Sequence, residues 1–239
     1  FPKVGLILNT HPHGDHVWGN HVFNAPSIMH KDANKVVKML INVGAGIYEQ
    51  FFPNLDFKGS KYTLPDIVIG DEGIVLKSKD GEINVRYLGP AHTPGDLIVD
   101  IEWANTVFAG DLIFNGVTPL ALDGSVLGWI NALDKLELVA NNKKIVGGHG
   151  EIADKSVIKL IKEYLTNIAN GTKESLSMGV SDPLAIAKRI GVKPLDNWKL
   201  KERIVLNVAR AIMDYQNKRP GEMVENLPEL AFKMMQYTF

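Results

Sequence analysis

Three observations predict a mixed α/β (α+β) fold. Up to about residue 150, short apolar runs of strand type are separated by turns rich in Gly, Asn and Asp. From about Ile152 onward, apolar residues recur at three- and four-residue spacing, the period of an amphipathic helix. Groups of His and Asp fall just after predicted strands, where a rigid sheet edge can aim several loops at one point.

In chain order, Val4-Gly5-Leu6-Ile7-Leu8-Asn9 reads as a buried strand, with a His-rich loop at its carboxyl end. A short helix is expected from Asp15 to about Asn24, weakened by Gly19 and Asn20, then a strand over Ser27-Ile28-Met29-His30. Val36, Val37, Leu40, Ile41 and Val43 give a helical pattern from Lys31 to about Gln50. Residues 51–65, with Pro53, Gly59 and Pro65, read as a loop. Residues 73–77 and 82–88 flank Lys79-Asp80-Gly81 and predict a hairpin. A second strand pair, 97–102 and 106–110, flanks Ala104-Asn105. A helix at about 128–140 and a strand over Lys144-Ile145-Val146-Gly147 follow. The helical region then holds Ser156–Asn170 with Gly171 as a stop, Pro183–Ile190 with Asp182 as N-cap, 197–217, and Leu227–Tyr237.

At 239 residues the chain fits one large domain or one domain plus an extension. Hydrophobic residues at 45% and charged residues at 22% are ordinary for a globular protein. The net charge of −1 offers no electrostatic case for nucleic acid or an anionic membrane as partner. No run approaches the roughly 18 apolar residues of a membrane span. Without cysteine there are neither disulfides nor thiolate ligands, so any metal must be held by His, Asp and Glu. The chain opens on Phe1-Pro2-Lys3, without methionine, and reads as a processed chain or a fragment. The compartment is left open between cytoplasm and periplasm.

Three of the seven histidines lie in His11-Pro12-His13-Gly14-Asp15-His16. His92 and His149 follow in the small-residue strings Ala91-His92-Thr93-Pro94-Gly95-Asp96 and Gly147-Gly148-His149-Gly150, with Asp111 between them. Imidazole and carboxylate are the ligands of zinc and neighbouring first-row metals. Neutral imidazoles leave the ion a strong Lewis acid that lowers the pKa of bound water towards about 7. His11 and His13 flank a single residue, so in an extended loop both can face one ion. An aspartate such as Asp111 can bridge two cations and offset their repulsion.

These residues resemble the metallo-β-lactamase-fold hydrolase superfamily, whose signature is His-x-His-x-Asp-His followed by separate His, Asp and His. All seven positions match in order, over roughly residues 1–170. The resemblance implies an αββα sandwich with metals at one edge. It assigns His11, His13 and His92 to one ion and Asp15, His16 and His149 to a second, with Asp111 bridging. The implied cofactors are two zinc ions, with iron or manganese as alternatives. Asp111, and the strings Thr93-Pro94-Gly95-Asp96, Ala109-Gly110-Asp111-Leu112 and Gly148-His149-Gly150, are similar to the glyoxalase II-like branch. Branches with a cysteine ligand or a carboxylate at position 13 are disfavoured. Family members carry several strands before the first motif and one is read here. The expectation is therefore a sandwich lacking its first strands, or one completed by another segment.

The implied function is hydrolysis of a thioester, lactone, lactam or related ester-like bond in a small molecule. A metal-bound hydroxide is the nucleophile, with Asp15 both ligand and catalytic group. A mononuclear iron enzyme oxidising persulfides and a catalytically silent metal-binding protein are the alternatives. The division expected is a core over residues 1–172 and a helical extension over 173–239. The extension shows no recognisable substrate-binding signature; it could form a homodimer surface or a lid, and packing on the sandwich is the preferred reading. His21 and His30 are assigned to helix or strand ends rather than to metal. Asp96 either orients a ligand imidazole or caps a turn. Trp18, Phe114 and Trp129 are read as core.

Overall fold

The computed structural model describes residues 3–46 and 54–238. Two sheets face each other. The first has three parallel strands in the order β1 (Ile7–Leu8), β2 (Ser27–His30), β3 (Ile67–Ile69). The second has five: β4 (Ile74–Ser78), β5 (Gly81–Tyr87), β6 (Leu97–Ile101), β7 (Thr106–Asn115) and β8 (Lys144–Gly150). Strands β4 to β7 form an antiparallel meander, and β8 joins β7 in parallel.

Apolar alternation fixes the layers. In β6, Leu97 and Val99 join Ile28, Ile69 and Val85 in a core between the sheets, whereas Ile98 faces the opposite way into the helical layer. Both faces of β6 are buried, which is why its sequence reads as a continuous apolar run. Outside the first sheet, α2 (Lys31–Leu40) packs Ala33 and Val37 against Met29, Val17 and Tyr62. Outside the second lie α3 (Val126–Val139), α4 (Lys155–Ser177), α5 (Pro183–Ile190) and α6 (Ile204–Tyr215). The αββα sandwich is therefore observed. A short α1 (Gly14–Val17) leads into a 3-10 turn over Asn20–Val22, and α7 (Leu227–Thr238) closes the chain. Among the described residues, no helix is long and apolar enough to cross a membrane.

The structure corrects several expected boundaries. The helix expected to reach Gln50 ends at Leu40, and its expected end, with residues 51–53 of the following loop, lies outside the described residues. The three-residue strand β3 was not expected. Gly171 does not stop a helix: α4 runs through it to Ser177. A Cβ at Gly171 would lie 2.5 Å from Ile190 Cγ1, so the glycine allows α5 to approach closely. The helix expected over 197–217 is a 3-10 turn, Lys201–Arg203, followed by α6.

Strands β7 and β8 also run longer than expected, so Asp111 and His149 lie within strands rather than just after them. Pairing persists because the register shifts between Phe108, Gly110 and Phe114. Gly110 has φ +51°, and a Cβ there would meet Thr10 Oγ1 at 2.6 Å. A residue without a side chain is thus required where β7 passes the first metal-motif loop.

Candidate metal centre

Four chain segments bring the seven expected ligand residues together. The loop after β1 and the start of α1 supply His11, His13, Asp15 and His16. The loop after β5 supplies His92, and adjacent strands β7 and β8 supply Asp111 and His149.

Their donor atoms group into trios within 4.8 Å: His11, His13 and His92; Asp15, His16 and His149; and His11, His16 and Asp111. The first two share no residue. Asp111 lies between them, with Oδ2 3.2 Å from His92 Nε2, 3.3 Å from His149 Nε2 and 3.7 Å from His11 Nε2. Its Oδ1 is 3.3 Å from His16 Nε2. Asp15 Oδ2 lies 3.3 Å from His16 Nε2 and 3.4 Å from His149 Nε2.

Hydrogen bonds on the far side of the rings fix their tautomers. His92 Nδ1 lies 2.6 Å from the Leu120 carbonyl oxygen and must donate to it, leaving Nε2 a bare acceptor. His13 Nε2 faces Asp123 Oδ1 at 3.3 Å, so its proton belongs there. His13 Nδ1 then meets His92 Nε2 at 2.9 Å. In neutral rings, two lone pairs would face each other at that distance. A proton or a metal ion between them removes the conflict.

The groups show this strain in their acidities. Burial opposes protonation of His13, but Asp123 overrides it by charge and hydrogen bond and raises the pKa to about 9. Burial lowers His92 to about 4, and it holds His11 well below the usual imidazole value. His149 is raised to about 9 by hydrogen bonds to Asp111 and Asp15. Although desolvation opposes ionisation, buried Asp111 and half-exposed Asp15 are both held far below the usual carboxylate range by the surrounding imidazoles.

A cation fits this site. His11 Nε2, His16 Nε2 and Asp111 Oδ1 are buried without a hydrogen-bond partner, an arrangement that is costly unless an ion accepts them. Space is reserved for the carboxylate: a Cβ at Gly148 would lie 1.8 Å from Asp111 Oδ1. The floor is closed and the rim open. His11, His92 and Asp111 are buried, whereas Asp15 is 49% and His149 37% exposed.

The remaining candidates fall elsewhere. His21 lies in the 3-10 turn, its Nδ1 2.8 Å from the Trp18 carbonyl. His30 caps α2, stacks on Tyr87 at 4.0 Å and contacts Asp71 at 3.1 Å, away from the seven ligands. Asp96 accepts from the Thr93 amide and hydroxyl, closing the turn that carries His92. Trp18, Phe114 and Trp129 are core residues. Phe114 also stacks on His149 at 5.0 Å, and Trp129 lies 5.5 Å from the His92 ring.

The sequence reading missed the groups behind the ligands: Asp123, the Leu120 carbonyl and Arg203. Arg203 donates to the Thr118 carbonyl at 2.9 Å and sits 5.9 Å over the Phe114 ring. A lone acid in Leu120-Ala121-Leu122-Asp123-Gly124-Ser125 was the available signal for Asp123, and it is indistinguishable from a helix cap. A backbone carbonyl leaves no signal at all.

The sequence pattern of the metallo-beta-lactamase superfamily matches residues 2–149. The chain is 30% identical over 171 residues to a probable metallo-hydrolase of Methanocaldococcus jannaschii, covering 68% of this chain and 77% of that protein. It is 27% identical over 145 residues to a hydroxyacylglutathione hydrolase of Pelagibacter ubique, covering 60% of this chain and 50% of the relative. In fold it is similar to a metallo-beta-lactamase from Pontibacter korlensis, with a TM-score of 0.54, 19% identity, and coverage of 69% of this chain and 70% of the other.

Proposed function

This chain belongs to the metallo-beta-lactamase superfamily, and from that premise we propose that it is a hydrolase working with two zinc ions on an ester-like bond of a small molecule. The observation that carries the reading is the pair of separate donor trios with Asp111 between them. His11, His13 and His92 would hold one ion, Asp15, His16 and His149 the other, and Asp111 would touch both. When bound, the ions supply Lewis acidity and water acidified to near neutral pH.

The chain's own groups have separable tasks. Asp111, buried and ionised, offsets the charge that two cations bring into a low-dielectric floor. Asp15 is ionised at neutral pH and half exposed, with Oδ2 3.3 Å from His16 Nε2 and 3.4 Å from His149 Nε2, so it can orient a water at the open rim. The substrate is proposed to be a thioester, lactone or lactam. The relative named for hydroxyacylglutathione hydrolysis makes a thioester the first to try.

Metal analysis of protein purified without added metal tests the centre. About two zinc equivalents per chain are expected, falling in His11→Ala and in His149→Ala. No bound transition metal, or unchanged content in both variants, would sink the reading. A panel of thioester, lactone, ester and β-lactam substrates tests the chemistry. Bound iron with oxygen consumption and no hydrolysis would favour persulfide oxidation instead.

A further inference from the structure

The C-terminal region, through loops as well as α6, grips one loop, residues 116–125 between β7 and α3, along most of its length. Arg203 donates to the Thr118 carbonyl at 2.9 Å, and the Thr118 amide donates to the Lys199 carbonyl at 2.9 Å. The Val224 amide donates to the Leu122 carbonyl at 3.1 Å, and Gly221 to the Asp123 carbonyl at 2.6 Å. This loop carries both groups that orient imidazoles of the first trio, the Leu120 carbonyl and Asp123.

Asn207, wholly buried in α6, stands at the centre of the grip. Its Nδ2 donates to the Pro119 carbonyl at 2.9 Å and to the Tyr164 hydroxyl at 2.9 Å. A carbonyl only accepts, so the amide orientation is settled, and Oδ1 accepts from the Ala121 amide at 2.7 Å. The Ala121 N–H and the Leu120 C=O belong to one planar peptide unit and point in opposite directions. At the other end of that unit, His92 Nδ1–H donates to Leu120 at 2.6 Å. One peptide therefore lies in series between Asn207 Oδ1 and the His92 ring. Hydrogen bonds in series polarise one another, by about 10–30% per bond.

We propose that Asn207 is a positioning residue for the first metal position, acting through the Leu120–Ala121 peptide to aim and polarise His92. The proposal rests on the two-ion reading above. A ligand imidazole bound to a backbone carbonyl is held in both tautomer and angle, and loss of such support typically costs 10–100-fold in metal affinity. A residue that merely filled the core would weaken both metal positions alike.

The test uses the full-length chain, with folding checked by circular dichroism. Zinc affinities of the two positions are measured by chelator competition, and the His92 Nδ1–H is followed by nitrogen-15 NMR in metal-free protein. Asn207→Leu is expected to weaken one position by at least about tenfold and leave the other within about twofold. The His92 Nδ1–H signal should move upfield and exchange faster. Tyr164→Phe, which removes the one side-chain partner of Asn207 but neither backbone partner, should leave both affinities near wild type. Asn207→Ser, too short to span both backbone groups, replaces the leucine variant if that fails to fold. Equal weakening of both positions, or unchanged affinities with an unmoved His92 signal, overturns the proposal. Should the wild-type protein bind no metal, the two-ion reading fails, and with it the metal-positioning role. The NMR signal then still decides whether Asn207 holds His92.

Discussion

His13 and His149 carry the pH behaviour of the centre. Both have metal-free pKa values raised to about 9, so at neutral pH each holds a proton that a metal must displace. His92, lowered to about 4, offers no such competition. Apparent metal affinity should therefore rise with pH up to about 9 and flatten above it. Calorimetry at pH 7 in buffers of different ionisation enthalpy should show release of about two protons per fully loaded chain. An affinity independent of pH between 6 and 9 would contradict the assignment. Asp123→Asn should reduce the dependence, because the Asp123 carboxylate is what raises His13. All seven residues that the structure brings together were legible in the sequence, since each is a His or Asp set among small residues. The groups orienting them were not. Leu120 acts through its carbonyl, whose identity the side chain does not announce, and Asp123 meets His13 from far along the chain.

At the scale of elements, the centre depends on the parallel pairing of β7 with β8, across which Asp111 Oδ2 comes within 3.3 Å of His149 Nε2. Gly148 sits in β8 where a methyl group would collide with Asp111 Oδ1 and come within 3.1 Å of His16 Cε1. Gly148→Ala should therefore lower metal affinity by about tenfold or more, comparable to losing a supporting contact, while the strand still forms. Chelator competition beside a thermal melt would check this; unchanged affinity would show that Asp111 can step aside freely. Strand and helix identities could be read where an apolar run or period was unbroken, as in the continuous run of β6 or the helical spacing of α4. They failed where one residue has two meanings. Gly171 has the composition of a helix stop, yet its function depends on Ile190, a partner that no local pattern names. The predicted strands stop at Gly110 and Gly147, because the register shift that carries the ladder past them is a property of two strands together.

Across the whole molecule, a buried ion pair within α6 ties the C-terminal region to the middle of the chain. Arg210 is bound by Asp214 at 2.9 and 3.1 Å, and Asp214 also accepts from Ser125 Oγ and the Leu127 amide, each at 3.1 Å. The pair fastens α6 to the start of α3. Asp214→Ala should destabilise the fold by about 3–5 kcal/mol, because it leaves Arg210 charged, buried and without its counter-ion. Denaturant unfolding would measure the loss, and a change under about 1 kcal/mol would mean that water or the Glu222 and Lys218 carbonyls compensate. The αββα layering was anticipated from the seven-residue signature rather than from periodicity. Packing of the C-terminal helices on the sandwich was the preferred reading and is observed, but the residues that meet in the shared core were not legible, because apolar spacing tells which helix face is buried but not against what.

The grip of α6 on the loop after β7 also has a temporal side. A ribosome delivers His11 through His149 before it delivers Asn207 and Asp214. Under the two-ion reading proposed above, the nascent chain would therefore expose its imidazoles before the residue that aims His92 has been made.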